Sequence, residues 1–486
     1  MSSRKALAYS FLDRYAGLVL SIISSMIVAR LLTPAEIGVF SVAMVLLSFI
    51  SAMRDFGAGQ YLVQEPELTT ERIRATWTVQ LGLGLGFALI VLAAAVPVAH
   101  FYGEPRMRDI MFLLSLNFAI SPFGSLTYAW LMREMRFDSL AMMRFAGSLT
   151  GASVSVGMAW RGFGPISLAA GSLAATVANA LLATFLRPSS FPWIPGLVGI
   201  RRVVSFGGRV SLTNVINTVG FSVPELVLGK MQGMASVGLY SRANGLAGMF
   251  QRLILDATQA VAMPLLSKAS REGGSLAPIF MKATSYVTAI GWSFFGVMIV
   301  LAHPMVRVLY GDQWDASVPL VRMIAAAMAI GLPAAFCPTV LMASGKMSLL
   351  VRITLLAVLQ YAVLLATGAA LGLVPLGWAI MLAAIISVGI WLSMSPVIRQ
   401  VSKLDFAKML LQSGCIAASV AAVSTAAFVW SAEGVTANVV RLVIGVTAAA
   451  LAFLAAVFVF KHPLREEFAQ LHSVLGKRRV GNRGGR

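Results

Sequence analysis

Apolar stretches of bilayer-spanning length alternate with short polar connections from one end of the chain to the other. A hydrocarbon core needs about 20 apolar residues per helix, within a range of roughly 17–25. On that criterion the pattern predicts fourteen spans, the first six over Tyr9–Leu32, Ile37–Met53, Ala75–Ala99, Ile110–Met132, Ser139–Trp160 and Gly164–Leu186. Six more cover Val203–Gly229, Ala235–Leu266, Ile279–Ala302, Val318–Met342, Leu349–Gly372 and Val374–Val397. Ala407–Trp430 and Asn438–Phe460 complete the set. The expected fold class is an all-α polytopic membrane protein.

The pattern also repeats. The stretch from Arg30 to Ala43 (RLLTPAEIGVFSVA) returns without a gap as Lys230 to Ala243 (KMQGMASVGLYSRA), two hundred positions later. Arg30 falls on Lys230, Gly38 on Gly238, Phe40 on Tyr240 and Ser41 on Ser241. Ala119-Ile120 is matched by Ala329-Ile330, and Gly164-Pro165 by Val374-Pro375, so the offset drifts from 200 to 210. Six spans recur in the same order and orientation, which is a parallel repeat. The expected organisation is two six-helix lobes in a V shape: an N-terminal lobe over 1–186, a linker over 187–202 and a C-terminal lobe over 203–397. Two extra helices over 398–460 and a basic tail over 461–486 follow. The linker holds three prolines, a serine pair and a glycine between Arg187 and Gly196, so it is no helix. It reads as a tether, with a hinge between halves as the alternative.

Lysine and arginine cluster in alternate connections, from Arg4 and Lys5 to Arg399, Lys403 and Lys408, and again in the tail. The opposite connections hold only Arg106, Arg108, Arg161, Lys230 and Arg307. The positive-inside rule then puts both termini in the cytoplasm. Composition agrees with the membrane class: 58% of residues are hydrophobic, 12% are charged and mean hydropathy is +0.84. A soluble domain carries about 25% charged residues. The net charge of +19 has no soluble, aromatic-interleaved domain to serve, so nucleic-acid binding is excluded. Cys337 and Cys415 form no disulfide or metal spacing, and no cofactor or phosphate-loop motif is present. The histidines, His100, His303, His462 and His472, are scattered and command no chemistry. The chain is not expected to be an enzyme.

Candidate chemistry lies in polar residues within spans. Arg242, Gly245, Met249, Arg252, Asp256 and Gln259 recur at helical spacing and would form one stripe. A charge at the bilayer centre costs at least about 2.5–3.5 kcal/mol, so such a stripe should face a wet cavity. The bland alternative is an internal Arg252–Asp256 pair that packs helices together. Span one carries Asp13, Arg14, Gly17 and serines on one face, and span seven carries Arg209, Thr213, Asn217 and Gly220, with Glu225 beyond. The expected site is one central cavity lined by spans one, two, seven and eight. Its substrate-binding cations would be Arg14, Arg30, Arg54, Arg209, Lys230, Arg242 and Arg252; Asp13, Asp55 and Asp256 would serve ion coupling. Arg144, Arg322 and Arg352 lie nearer helix ends and should snorkel. Gly82/Gly86 and Gly147/Gly151 have helix-packing spacing. Guanidinium groups grip phosphate oxygens bidentately, which points to a phosphorylated substrate.

The stretch from Ala29 to Ala43, followed by RDFGAG at 54–59 and YLVQ at 61–64, resembles the polysaccharide transport family of bacterial Wzx-type flippases. That family belongs to the multidrug/oligosaccharidyl-lipid/polysaccharide exporter superfamily. The resemblance implies translocation of an undecaprenyl-pyrophosphate-linked oligosaccharide across the inner membrane, by alternating access driven by a proton or sodium gradient. It implies as partners the lipid-linked substrate, the bilayer, and the polymerase and export machinery of the same pathway. The rival readings are a lipid-linked peptidoglycan precursor flippase, a multidrug extruder of the same fold, and a lipid-linked glycan ligase or polymerase. The last needs a large outer loop that this chain lacks.

Overall fold

The computed structural model describes residues 3–54, 62, 65, 67–189, 191–198, 200, 222–434 and 438–467, with side chains in these ranges except over 3–15, 52–54 and 431–434. The described residues are overwhelmingly helical and contain no strand, as the hydropathy pattern predicts. Within a bilayer every backbone polar group must be satisfied internally, and helices do this span by span.

Nine described helices are long and apolar enough to cross a membrane, and ten if the bent pair Arg106–Ile120 and Pro122–Arg133 is one span. These account for ten of the fourteen expected spans. Of the others, the first is an apolar helix described with side chains only over Ala16–Leu31, the fifth is helical but richer in polar residues, the eighth is interrupted by a π-turn, and most of the seventh lies outside the described residues. The chain is a multi-pass membrane protein.

Contacts divide the chain into two units, Met1–Ser241 and Arg242–Arg486. The first contains α1 (Ser3–Leu31), α2 (Pro34–Arg54), α3 (Thr70–Tyr102), α4 (Arg106–Ile120), α5 (Pro122–Arg133), α6 (Phe137–Trp160) and α7 (Ile166–Leu186). It ends with α8, over 222–231, and the first half of α9 (Met234–Ala247). Helices α6 and α7 pack as an antiparallel hairpin, with α1 along α6 and α3 along α4. The expected packing role of Gly147 and Gly151 holds: a Cβ at Gly147 would strike the Asn179 side chain, and one at Gly151 the Gly171 carbonyl at 2.9 Å. Gly82 and Gly86 face open space instead, so their spacing marks no contact among the described residues.

The second unit continues through a five-residue π-turn (Gln251–Leu255) into α10 (Asp256–Arg271), then α11 (Ala277–Val300), α12 (Ala302–Leu309), α13 (Val318–Gly331) and α14 (Cys337–Ala343). It closes with α15 (Met347–Leu371), α16 (Leu373–Met394), α17 (Lys403–Gly434) and α18 (Asn438–Val459). Helices α15 and α16 form a hairpin matching α6 and α7, and α17 and α18 pack together beside α11.

The repeat extends to irregularities. Just after Ala119-Ile120, the fourth span bends by 48° at Ser121-Pro122. Just after Ala329-Ile330, the tenth passes through a 3₁₀ turn at Leu332–Ala334, which includes Pro333. Proline removes a helical hydrogen bond and clashes with the preceding turn, which breaks both. In each unit a glycine of the third helix fits against the break. A Cβ on Gly84 would lie 2.5 Å from the Pro122 ring, and one on Gly291 would lie 2.2 Å from Leu332.

The linker after α7 is docked rather than loose. Thr78 Oγ1 donates to the Gly196 carbonyl (2.7 Å) and accepts from its N–H (2.8 Å), while Trp77 Nε1 donates to Trp193 O at 2.9 Å. The Arg187 guanidinium lies 3.5 Å from the Trp193 ring centre and donates to the Phe191 and Pro192 carbonyls. These bonds strap 187–196 to the first turns of α3, which a simple tether would not require.

Candidate functional site

The opening turn of the chain builds a close crossing within the first unit. Thr33 caps α2 with a reciprocal box: its N–H and hydroxyl both donate to Glu36 Oε2, at 2.8 and 2.9 Å, and its hydroxyl accepts from the Glu36 N–H. At the equivalent turn before α9, Gly233 takes a left-handed conformation instead, at φ +83°. The two helices then touch backbone to backbone. A Cβ on Gly38 would sit 1.8 Å from the Met234 carbonyl oxygen, and one on Gly238 would sit 1.9 Å from the Pro34 carbonyl oxygen. Ser41 Oγ and Ser241 Oγ share a hydrogen bond of 3.0 Å. Ser41 and Ser241 are offset by 200, and the same offset exchanges the two glycine contacts, so a local two-fold axis passes between the helices.

Next to this seam, Lys230 donates to the Phe101 carbonyl (2.5 Å), with its ammonium 4.3 Å from that residue's ring centre. Tyr102 reaches the Leu226 carbonyl at 3.4 Å. Arg30 is exposed at the end of α1. On α8, Glu225 is only 9% exposed, and its Oε2 has no hydrogen-bond partner among the described residues. The sequence placed Glu225 beyond the polar face of span seven and gave it no role, yet a buried acid on a membrane helix is a functional candidate by itself. Outside the membrane, Glu104 is held below the usual carboxylate range by the Arg106 guanidinium, which donates to both its oxygens at 2.7 and 2.9 Å.

The polar stripe of span eight is present but bent out of line. Through the π-turn each N–H reaches one residue further back than in an α-helix. That extra residue swings Asp256 and Gln259 by about a quarter turn relative to Arg242 and Gly245. Phe250, fully buried against Phe294 and Phe295, anchors the turn. The stripe consequently separates into two environments. Arg242 is half-buried, its guanidinium 5.5 Å from the Tyr310 ring centre and 5.7 Å from that of Trp314. Arg252 and Asp256 are exposed, together with Gln251, which the α-helical period had placed off the stripe. Gln251 Nε2 donates to Asp256 Oδ1 at 2.8 Å, and Arg252 Nη2 to the Gly245 carbonyl at 3.2 Å. Further along, Gln259 Nε2 lies 3.4 Å from the Ala335 carbonyl. A charged and amide-bearing face that the second unit does not cover, midway along a membrane helix, suits water and a polar ligand far better than lipid.

Asp55 and Arg209 lie outside the described residues, and the side chains of Asp13, Arg14 and Arg54 lie outside the described side chains. Arg144 pairs with the Tyr128 hydroxyl at 2.9 Å, and Arg322 with the Ile299 carbonyl at 3.2 Å, both exposed as snorkelling requires. Among the described residues no three His, Cys, Asp or Glu side chains come together in a way that could hold a metal ion.

Comparison with known proteins agrees with this architecture. The succinoglycan biosynthesis transport protein ExoT of Rhizobium meliloti (strain 1021) is 25% identical over 329 residues, 67% of this chain and 66% of its own length. The lipopolysaccharide biosynthesis protein WzxC of Escherichia coli (strain K12) is 21% identical over 311 residues, 63% of this chain and 62% of its own. The chain thus spans just under two thirds of the length of both relatives. Among solved structures, the lipid II flippase MurJ in an inward closed conformation superposes with a TM-score of 0.74 at 15% identity, covering 95% of this chain and 100% of that one. An inward-facing multidrug resistance MATE family transporter of the MOP superfamily superposes with a TM-score of 0.60 at 14% identity, over 79% of this chain and 96% of its own. At these identities the superpositions establish the shared fold. The family described as polysaccharide biosynthesis protein matches residues 27–319, more than half of the chain, and the protein belongs to that family.

Proposed function

We propose that the protein is a flippase that carries an undecaprenyl-pyrophosphate-linked oligosaccharide repeat unit across the bacterial inner membrane, for exopolysaccharide or lipopolysaccharide assembly. The observation that carries this reading is the uncovered polar face of Gln251, Arg252 and Asp256 at a break in a membrane helix, in a chain of the polysaccharide biosynthesis family. A hydrated arginine at that depth meets a pyrophosphate through charge-assisted hydrogen bonds, while the lipid tail stays in the bilayer. Arg14, Arg30, Arg54, Arg209, Lys230 and Arg242 extend the cationic path. Asp13, Asp55 and Asp256 couple the cycle to a proton or sodium gradient by competing for these cations, and both termini lie in the cytoplasm. The polymerase and export machinery of the same polysaccharide pathway receive the product. The test is translocation of a fluorescent lipid-pyrophosphate oligosaccharide by the full chain in proteoliposomes. Transport that falls with Arg252→Ala supports the reading. Full transport by an inserted Arg252→Ala/Arg242→Ala protein, or rescue of cells depleted of their peptidoglycan precursor flippase, would overturn it.

A further inference from the structure

At one end of the second unit, α10 and α14 finish, α11 and α15 begin, and the 3₁₀ turn Pro396–Gln400 follows α16. Where spans begin and end, hydrocarbon gives way to headgroups. The ends here enclose a cleft of about 450 Å³, within the roughly 300–1,000 Å³ typical of small-molecule sites. Its floor is apolar, with Val340, Leu341 and Val397 all buried. Its rim is polar, formed by Ser270, Ser275, Ser344, Lys346 and Gln400. Among the described residues no acidic residue lines it, and Lys346 is its one charged group.

The donors at the rim are arranged for an anion. Ser275 donates to the Gln400 carboxamide oxygen at 3.3 Å, which leaves the amide N–H groups of Gln400 for another partner. Ser275 also accepts from the Ala277 N–H at 3.3 Å, so its hydroxyl ties the start of α11 to the rim. Lys346 is the residue just before α15, at its N-cap, and its side chain makes no capping hydrogen bond to that 25-residue helix. The first-turn N–H groups of a helix lack intrahelical partners and carry its positive dipole end. A flexible ammonium, an amide donor and an uncapped helix start therefore meet at the rim of a cleft whose floor is greasy.

We infer that this cleft binds a phosphate-bearing headgroup, with the phosphate at Lys346 and the carbon portion on the Val340–Leu341 floor. Two sources share this chemistry: an anionic phospholipid of the adjoining leaflet, and a soluble phosphate monoester. Native mass spectrometry of the full chain, released from mixed phosphatidylglycerol and phosphatidylcholine nanodiscs, distinguishes them when glycerol phosphate is added as competitor. Phosphatidylglycerol should be retained over phosphatidylcholine. Lys346→Ala should lower that retention about tenfold, the worth of one charge-assisted hydrogen bond. Lys346→Arg should restore most of it, and Gln400→Ala should weaken it without touching the charge. Displacement by glycerol phosphate in a Lys346-dependent manner would assign the site to the headgroup alone and hence to soluble esters. Resistance to displacement would assign it to the lipid. Equal retention of both lipids, or undiminished phosphatidylglycerol on Lys346→Ala protein of unchanged thermal stability, would overturn the inference.

Discussion

Ser41 and Ser241 occupy the same position in two copies of one repeat, and their hydroxyls bond to each other at 3.0 Å. A repeat meets itself at equivalent atoms only on its symmetry axis, so this bond marks the axis in the first unit. The flanking glycine contacts, reciprocal between 38 and 234 and between 238 and 34, leave no space for a methyl group.

Cysteines at both positions should therefore crosslink. With the hydroxyl oxygens already at 3.0 Å, a Ser41→Cys/Ser241→Cys protein needs little movement to reach disulfide geometry. Oxidation should stop translocation at least about tenfold if this seam has to part during the cycle, and a reductant should restore it. Gel mobility after protease cleavage of the linker, followed beside the transport rate, checks both halves of the expectation.

Adding a methyl group at the seam should do damage that an identical change elsewhere does not. Gly38→Ala or Gly238→Ala forces backbone apart and should cost about 1–3 kcal/mol, as overpacking does. Gly17→Ala, where a Cβ meets nothing within 4 Å among the described residues, should be neutral or slightly stabilising. Thermal unfolding in detergent, read by loss of monodispersity, distinguishes the two.

Arg242 and Arg252 should separate in mutant behaviour, although the sequence set them on one stripe. Arg242 packs against the rings of Tyr310 and Trp314, contacts worth about 0.5–2 kcal/mol each, so Arg242→Ala should lower stability. Arg252 is exposed and donates to the Gly245 carbonyl, and Arg252→Ala should leave stability within about 0.5 kcal/mol while lowering translocation. Paired unfolding and transport measurements test the division.

Acid should loosen the chain after α18. His462 is fully buried; its Nε2 lies 2.9 Å from Ser285 Oγ, and its Nδ1 accepts the Leu464 N–H at 3.2 Å. Burial pushes its imidazole down to about 4. The folded state thus holds the ring neutral while an exposed histidine, near pH 6.5, takes up a proton first. Stability from this contact is fully present above pH 6.5 and is lost as pH falls from there toward 4, by up to about 1.4 kcal/mol per pH unit. Glu467 works alongside it, held below its usual range by the Lys282 ammonium and the Tyr286 hydroxyl. Hydrogen exchange of the 460–467 segment should rise between pH 6.5 and 4, and should lose most of that dependence in His462→Gln.

The spans legible in the sequence were those whose burial in lipid demands a continuous apolar run, such as α3, α11 and α16. The bend after Ile120 was hidden inside a run of sufficient length, although Pro122 marked it. The stripe of span eight was legible as polar residues at helical spacing. Its division was not, because the π-turn depends on Phe250 finding Phe294 and Phe295, a tertiary contact that no local pattern records. The same holds for the linker: its prolines ruled out a helix, but only packing shows Thr78 and Trp77 holding it. Glu225 was visible as an acid, and its burial was not.

The two broken helices bear on history as well as mechanics. A proline fracture after the matched Ala-Ile pair, seated on a glycine of the third helix, occurs in both copies. Two independent acquisitions of the same fault and the same fitted partner would be a coincidence. Descent of both copies from one duplicated unit that already held the proline would produce this match.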